Sequence, residues 1–175
     1  MAGTVDAPVA MLEPLADAQA RSVAAMLSPA VPPADIAPWL RLAIALRDTG
    51  APAIALALFA QLLAIRPDHT EALIEAGLIA RRLGHGEAAM ACFRAAIAAD
   101  PSLPWPLVHL GTTLRDQGQH DGAIAVLRDA MRLQDDHFEA HLEAGITAAA
   151  QGAAAVAADY LDPQWKFVPK TSVPD

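Results

Sequence analysis

TEALIEAGLIARRLGHGEAAMACFRAAIAADPSL, residues 70–103, is the stretch that decides the fold, because PWPLVHLGTTLRDQGQHDGAIAVLRDAMRLQDDH, residues 104–137, keeps its punctuation. Gly77 and Gly111, Gly84 and Gly118, Ala89 and Ala123, and Phe93 and Leu127 are each 34 residues apart. The same interval runs outward in both directions. Gly50 precedes Gly84 and Gly152 follows Gly118, while Gly145 follows Gly111. Ala55 and Phe59 stand one period upstream, Ala157 and Leu161 one period downstream. Prolines 33, 67 and 101 share the spacing, with Asp135 at the next site. A fixed period of this size marks stacked supersecondary units, none of which buries its apolar face alone.

Within one period the chemistry predicts two helices. Hydrophobic residues make up 54% of the chain but aromatics only 5%, so alanine, the best helix former, supplies the apolar character. Val, Ile and Thr never gather into alternating runs, so strands have no support. The first helix ends before Gly50, Gly84, Gly118 or Gly152, where a left-handed residue is cheap only for glycine. The second ends near Pro67 or Pro101, which cannot continue it. Asp68 with Glu71, and Asp136 with Glu139, have the spacing of a capping box for the next first helix. Gly77 with Ala89, and Gly111 with Ala123, are small enough to let paired helices approach closely. Cys92 falls in the apolar stretch Met90 to Phe93 and reads as a packed small hydrophobe.

This pattern resembles the tetratricopeptide repeat, whose signature runs Trp-x2-Leu-Gly-x2-Tyr, then Ala-x3-Phe, then Pro. Residues 36–69 supply Trp39, Leu42, Ala43, Leu46, Ala55, Phe59 and Pro67. Residues 70–103 supply Leu73, Ala76, Gly77, Ala80, Ala89, Phe93 and Pro101. Residues 104–137 supply Leu107, Leu110, Gly111, Leu114, Ala123 and Leu127; residues 138–161 form a degenerate fourth unit with Ala144, Gly145, Ala148, Ala157 and Leu161. The resemblance implies an all-α, right-handed superhelical solenoid of antiparallel helix pairs over 36–161. Around it, residues 1–10 are expected to be disordered, and residues 11–35 to form a capping helix or the degenerate second helix of an earlier unit. Residues 162–175, with three prolines, Trp165, Phe167 and both lysines, are expected to form an extended tail.

The family binds ligands on the concave surface lined by first helices, at the second, fifth, ninth, twelfth and thirteenth positions of each repeat. Carried over, these positions give Leu40, Ile74, Val108 and Leu142, then Ile44, Leu78, Thr112 and Ile146, beside Arg47, Arg81 and Arg115. Trp105, at the second position of its unit, is the aromatic anchor. The expected ligand is a peptide or helix of another protein, apolar toward the floor, offering carboxylates or carbonyls to the arginines. Two plainer readings stand beside this one. An arginine at a helix C-terminus suits the helix dipole without any ligand. The N-terminal helix or the C-terminal tail could cover the floor. A lysine–asparagine clamp for chaperone tails is not expected, since the chain has no asparagine and its lysines are Lys166 and Lys170.

Other chemistries lack their residues. A net charge of −8 disfavours nucleic-acid backbones. One cysteine supports neither a disulfide framework nor a thiolate metal site. His137 and His141, with His109 one repeat earlier, have weak metal spacing and read as packing or surface residues. There is no phosphate loop with a lysine and no Gly-x-Ser-x-Gly elbow, so neither enzyme nor cofactor is expected. Asp6, Glu13 and Asp17 precede the first basic residue, Arg21, unlike a secretory leader, and no long apolar run predicts a membrane span. The sequence reads as a cytoplasmic, non-catalytic adaptor or scaffold. The alternatives are a type III secretion-like chaperone, or the substrate-recruiting domain of a larger glycosyl- or methyltransferase. The tail, docked on a neighbour, would give a homo-oligomer.

Overall fold

The computed structural model describes residues 6–27 and 36–162. These residues are helical, and no strand occurs among them. α1 (Asp6–Leu12), a 3-10 turn (Glu13–Leu15) and α2 (Ala18–Leu27) precede the repeats. The pairs follow: α3 (Ala37–Asp48) with α4 (Pro52–Ile65), α5 (Thr70–Arg82) with α6 (Gly86–Ala99), α7 (Pro104–Asp116) with α8 (His120–Leu133), and α9 (Phe138–Ala150) with α10 (Ala154–Leu161). The chain divides into two compact units, 1–100 and 101–175.

Each first helix stops two residues before its glycine, and all four of these glycines have positive φ, from 75° to 87°. A side chain is rarely tolerated there, which is why the glycine phase sets the helix boundaries. Second helices open on what the turn permits. α4 begins with Pro52 in the first turn, where a missing N–H costs nothing. The capping boxes expected from sequence are not the caps. His69 and His137, one residue after Asp68 and Asp136, cap α5 and α9, their Nδ1 atoms accepting the N–H of Ala72 at 3.2 Å and of Ala140 at 3.4 Å.

In unit 1, α3 packs on α4, α4 on α5, and α5 on α6. Gly77 of α5 lies beneath Phe93 of α6: a Cβ there would stand 2.6 Å from the ring. In unit 2, α7 packs on α8, α8 on α9, and α9 on α10; Val108, Leu127, Ala130, Ala140 and Ala144 form the core, with Leu107, Met131 and Tyr160 packed against it. Gly111 sits beneath Leu127 and Gly145 beneath Leu161 in the same way. The small residues read from the sequence therefore do set the close approach of α5 to α6 and of α7 to α8.

The N-terminal segment departs from expectation. The chain is already helical over Asp6–Leu12, inside the span expected to be disordered, and Pro14 divides the rest by a 3-10 turn. Nor does α2 sit where the second helix of a preceding repeat belongs. That helix would pack on the first helix of the next pair, as α4 does on α5, whereas α2 packs on α4. α1 packs on α4, α5 and α6, so the segment sheathes second helices rather than extending the row. The extended-tail expectation for 163–175 lies outside the described residues.

Candidate partner-binding face

Period and helix register together set the first-helix face. Residues at a repeat's fifth, ninth and twelfth positions are three or four apart along one helix, so they share a stripe. In unit 1 that stripe comes from α3 and α5. Ile44, Ile74, Leu78 and Arg81 are half-buried, with part of each side chain in solvent. Leu40 is buried and cannot contact a partner without rearrangement. In unit 2 the stripe comes from α7 and α9. Leu142 is half-buried and Ile146 exposed, but Val108 belongs to the core and Thr112 is buried, its hydroxyl donating to Val108 O at 2.8 Å. Leu40, Val108 and Thr112 thus leave the exposed floor expected from sequence. The reason is packing: the fifth position of α7 reaches into the cluster it shares with α8 and α9.

The arginines are engaged within the chain. The Arg47 guanidinium, at the end of α3, bonds the Glu75 carboxylate of α5, and also donates to Asp48 Oδ1 at 2.8 Å. Arg115, at the end of α7, repeats this with Glu143 of α9 and with Asp116. Each inter-helix pair is only about a fifth exposed. The hydrogen bond to Asp48, opposed by burial and reinforced by Glu75, raises the Arg47 pKa, and Arg47 in turn holds the Asp48 carboxyl below its usual range. The sequence holds this signal: Glu75 and Glu143 lie two periods apart, each 28 residues after its arginine, with His109 at the corresponding place after Arg81. Carrying over only the family's ligand-binding positions selects the arginines and passes over these carboxylates.

Trp105 is less free than an anchor would be. Its ring stands edge-on to His137 at 4.6 Å between centroids and stacks loosely on His109 at 6.2 Å, leaving the residue 45% exposed. His137, buried, serves as the α9 cap, and His141 Nε2 lies 3.0 Å from Asp135 O. Among the described residues no group of three His, Cys, Asp or Glu side chains is placed to hold a metal. Burial pushes the Cys92 thiol up to about 12, so it packs as an uncharged side chain. No helix among the described residues is long and apolar enough to cross a membrane.

Comparison with known proteins gives the family and the fold. The tetratricopeptide-repeat profile matches residues 40–104 and 109–162, well over half of the chain. None of the curated proteins matches significantly. Among solved structures, MamA 41-end from Desulfovibrio magneticus RS-1 is 23% identical, with 73% of this chain and 72% of that chain covered and a TM-score of 0.67. TTC0263, a thermophilic repeat protein of Thermus thermophilus, is 26% identical over 73% of this chain and 71% of that one, at a TM-score of 0.63. A Thermobaculum terrenum O-GlcNAc transferase mutant is 24% identical with a TM-score of 0.63; 80% of this chain matches 28% of that one.

Proposed function

Because the chain belongs to the tetratricopeptide-repeat family, whose fold is a protein–protein interaction scaffold, we propose that it binds an apolar peptide or helix of another protein on its first helices. The observation that carries the proposal is the pairing of Arg47 with Glu75 and of Arg115 with Glu143 beside half-exposed apolar side chains. Neutralised arginines offer little to an acidic ligand, whereas Ile44, Ile74 and Leu78 in unit 1, and Trp105, Leu142 and Ile146 in unit 2, offer area. Apolar complementarity therefore sets affinity, and Arg81 adds a polar contact at the edge. The setting is cytoplasmic.

Capture of partners from the native host, mapping of the bound segment and titration against variants test this reading. Leu78→Glu should weaken binding at least tenfold, since fully burying a leucine contributes about 1.5–3 kcal/mol and about 1.4 kcal/mol is tenfold. Arg81→Glu should weaken it less. Unchanged affinity in both variants would remove this face from recognition. The client separates adaptor from secretion chaperone: the apolar face suits an amphipathic, membrane-active client as well as a soluble one, and only the former fits a chaperone. A native reading frame continuing into a catalytic domain would mark the transferase-recruiting alternative.

A further inference from the structure

α10 is the short second helix of the array. α4, α6 and α8 have 14 residues each, whereas α10 has 8. Pro163 is the cause. A residue before proline is pushed out of the helical region, and Asp162 stands at φ −65°, ψ 123°. The shortfall leaves the start of α9 without its cover. Leu161, which ends α10, lies on Gly145, well past Phe138 along α9. The longer second helices continue beyond this phase and bury Leu62, Ala96 and Ala130; the next member of that series is Gln164, which α10 does not reach. Phe138, the first residue of α9, is 58% exposed, whereas Pro104 at the same place in α7 is half-buried.

The chain's own next residues have the chemistry and the reach to cover this edge. Leu63, Ile97 and Met131 recur at one period and are buried or half-buried, and Trp165 stands at the next site. Between Pro163 and Pro169, two-residue alternation in an extended chain puts Trp165 and Phe167 on one side. The tight turn after α9 makes α10 run back along it, so the chain leaves Leu161 heading toward Phe138. That stretch of α9 is about 10 Å at 1.5 Å per residue, and the four residues from Asp162 to Trp165 span about 13 Å when extended. Charge agrees as well. Asp135, Asp136 and Glu139 are exposed at this edge, and the segment brings Lys166 and Lys170, the only lysines of the chain. We propose that residues 163–168 strap across the start of α9 within the same molecule, Trp165 and Phe167 covering Phe138 and the lysines lying beside the carboxylates. The strap stands in for the missing turns of α10, and it does not rest on the first-helix reading of partner binding.

Because both lysines lie in this segment, a lysine-specific endoprotease reads the strap in the full-length protein without touching the repeats. Cleavage after Lys166 should be at least tenfold slower in the wild type than in a free peptide of residues 162–175, since a seated segment is cut only while it is open. Phe138→Arg, which removes the apolar contact and repels the lysines, should restore at least tenfold of the rate. Ile146→Glu, on the first-helix stripe, should leave the rate unchanged, which separates the strap from the partner-binding face. Phe138→Ala, which only deletes the ring, should act like Phe138→Arg to a lesser degree. Cleavage of the wild type as fast as of the free peptide overturns the proposal, whether or not the variants fold. So does protection that survives in both Phe138 variants. Protection that grows with protein concentration overturns the assignment within one molecule and makes the segment of a second copy the occupant.

Discussion

α4 and α8 occupy the same place in their repeats, yet one is sheathed and the other faces water. Both bury the face that meets their partners: Ala55, Phe59 and Leu62 in α4, and Ala123, Leu127 and Ala130 in α8. Beyond that face they diverge. Ala57, Leu58 and Ala60 are buried, whereas Ala125 is exposed, Val126 and Arg128 are half-buried, and Asp129 and Arg132 face solvent. The repeat geometry is shared, so the difference lies in what the outer side chains demand. An apolar outer face recruits the N-terminal helices, and a charged one is satisfied by water. A repeat protein can thus carry two surfaces, one set by the repeating unit and one by departures from it.

Placing a charge on each outer face is the strongest way to break this comparison. Ala57, 5% exposed, lies two periods before exposed Ala125. Ala57→Glu should cost about 3 kcal/mol or more in urea unfolding, from an uncompensated buried charge. Ala125→Glu should fall within about 0.5 kcal/mol of wild type. Equal costs would mean that α1 and α2 are not seated on α4.

A smaller effect sharpens the contrast between an enclosed position and one under a half-exposed side chain. At Gly77 a Cβ would stand 2.6 Å from the fully buried Phe93 ring; at Gly145 it would stand 2.6 Å from Leu161. Leu161 is 47% exposed where its equivalent Leu127 is fully buried, so Leu161 can swing aside. Gly77→Ala should destabilise by about 2 kcal/mol through overpacking. Gly145→Ala should be near neutral, because the roughly 1 kcal/mol gain in helix propensity offsets the displacement. Calorimetric melting of the two variants checks the ordering.

The smallest effect is where the units should agree. Double-mutant cycles on Arg47 with Glu75, and on Arg115 with Glu143, should each give a coupling of about 1 kcal/mol or less, reduced by salt. A coupling present in one unit and absent from the other would mean that the two inter-helix bridges are not equivalent.

Much of this is legible in the chain itself, and the misses are specific. Gly50, Gly84, Gly118 and Gly152 announce the helix ends because positive φ is a local demand met almost only by glycine. The caps fall one residue from their expected places because His69 and His137 are uncommon N-caps, while the neighbouring Asp68 and Asp136 suit the usual rule. No single repeat reveals Glu75 and Glu143 as the arginines' partners, because their 28-residue offset shows only when one repeat is compared with another. Leu40, Val108 and Thr112 look like their exposed counterparts in sequence, and only their neighbours bury them.

The sequence by itself determined the period, the helix pairs, their glycine ends and their close contacts, because each depends on backbone conformation or on residues within one repeat. Tertiary structure alone decided which first-helix side chains remain accessible, which carboxylates neutralise the arginines, and that the N-terminal helices turn back onto α4. Those outcomes depend on which surfaces lie within a few ångströms after folding, and apolar burial, being non-directional, leaves no local mark of where its partner will come from.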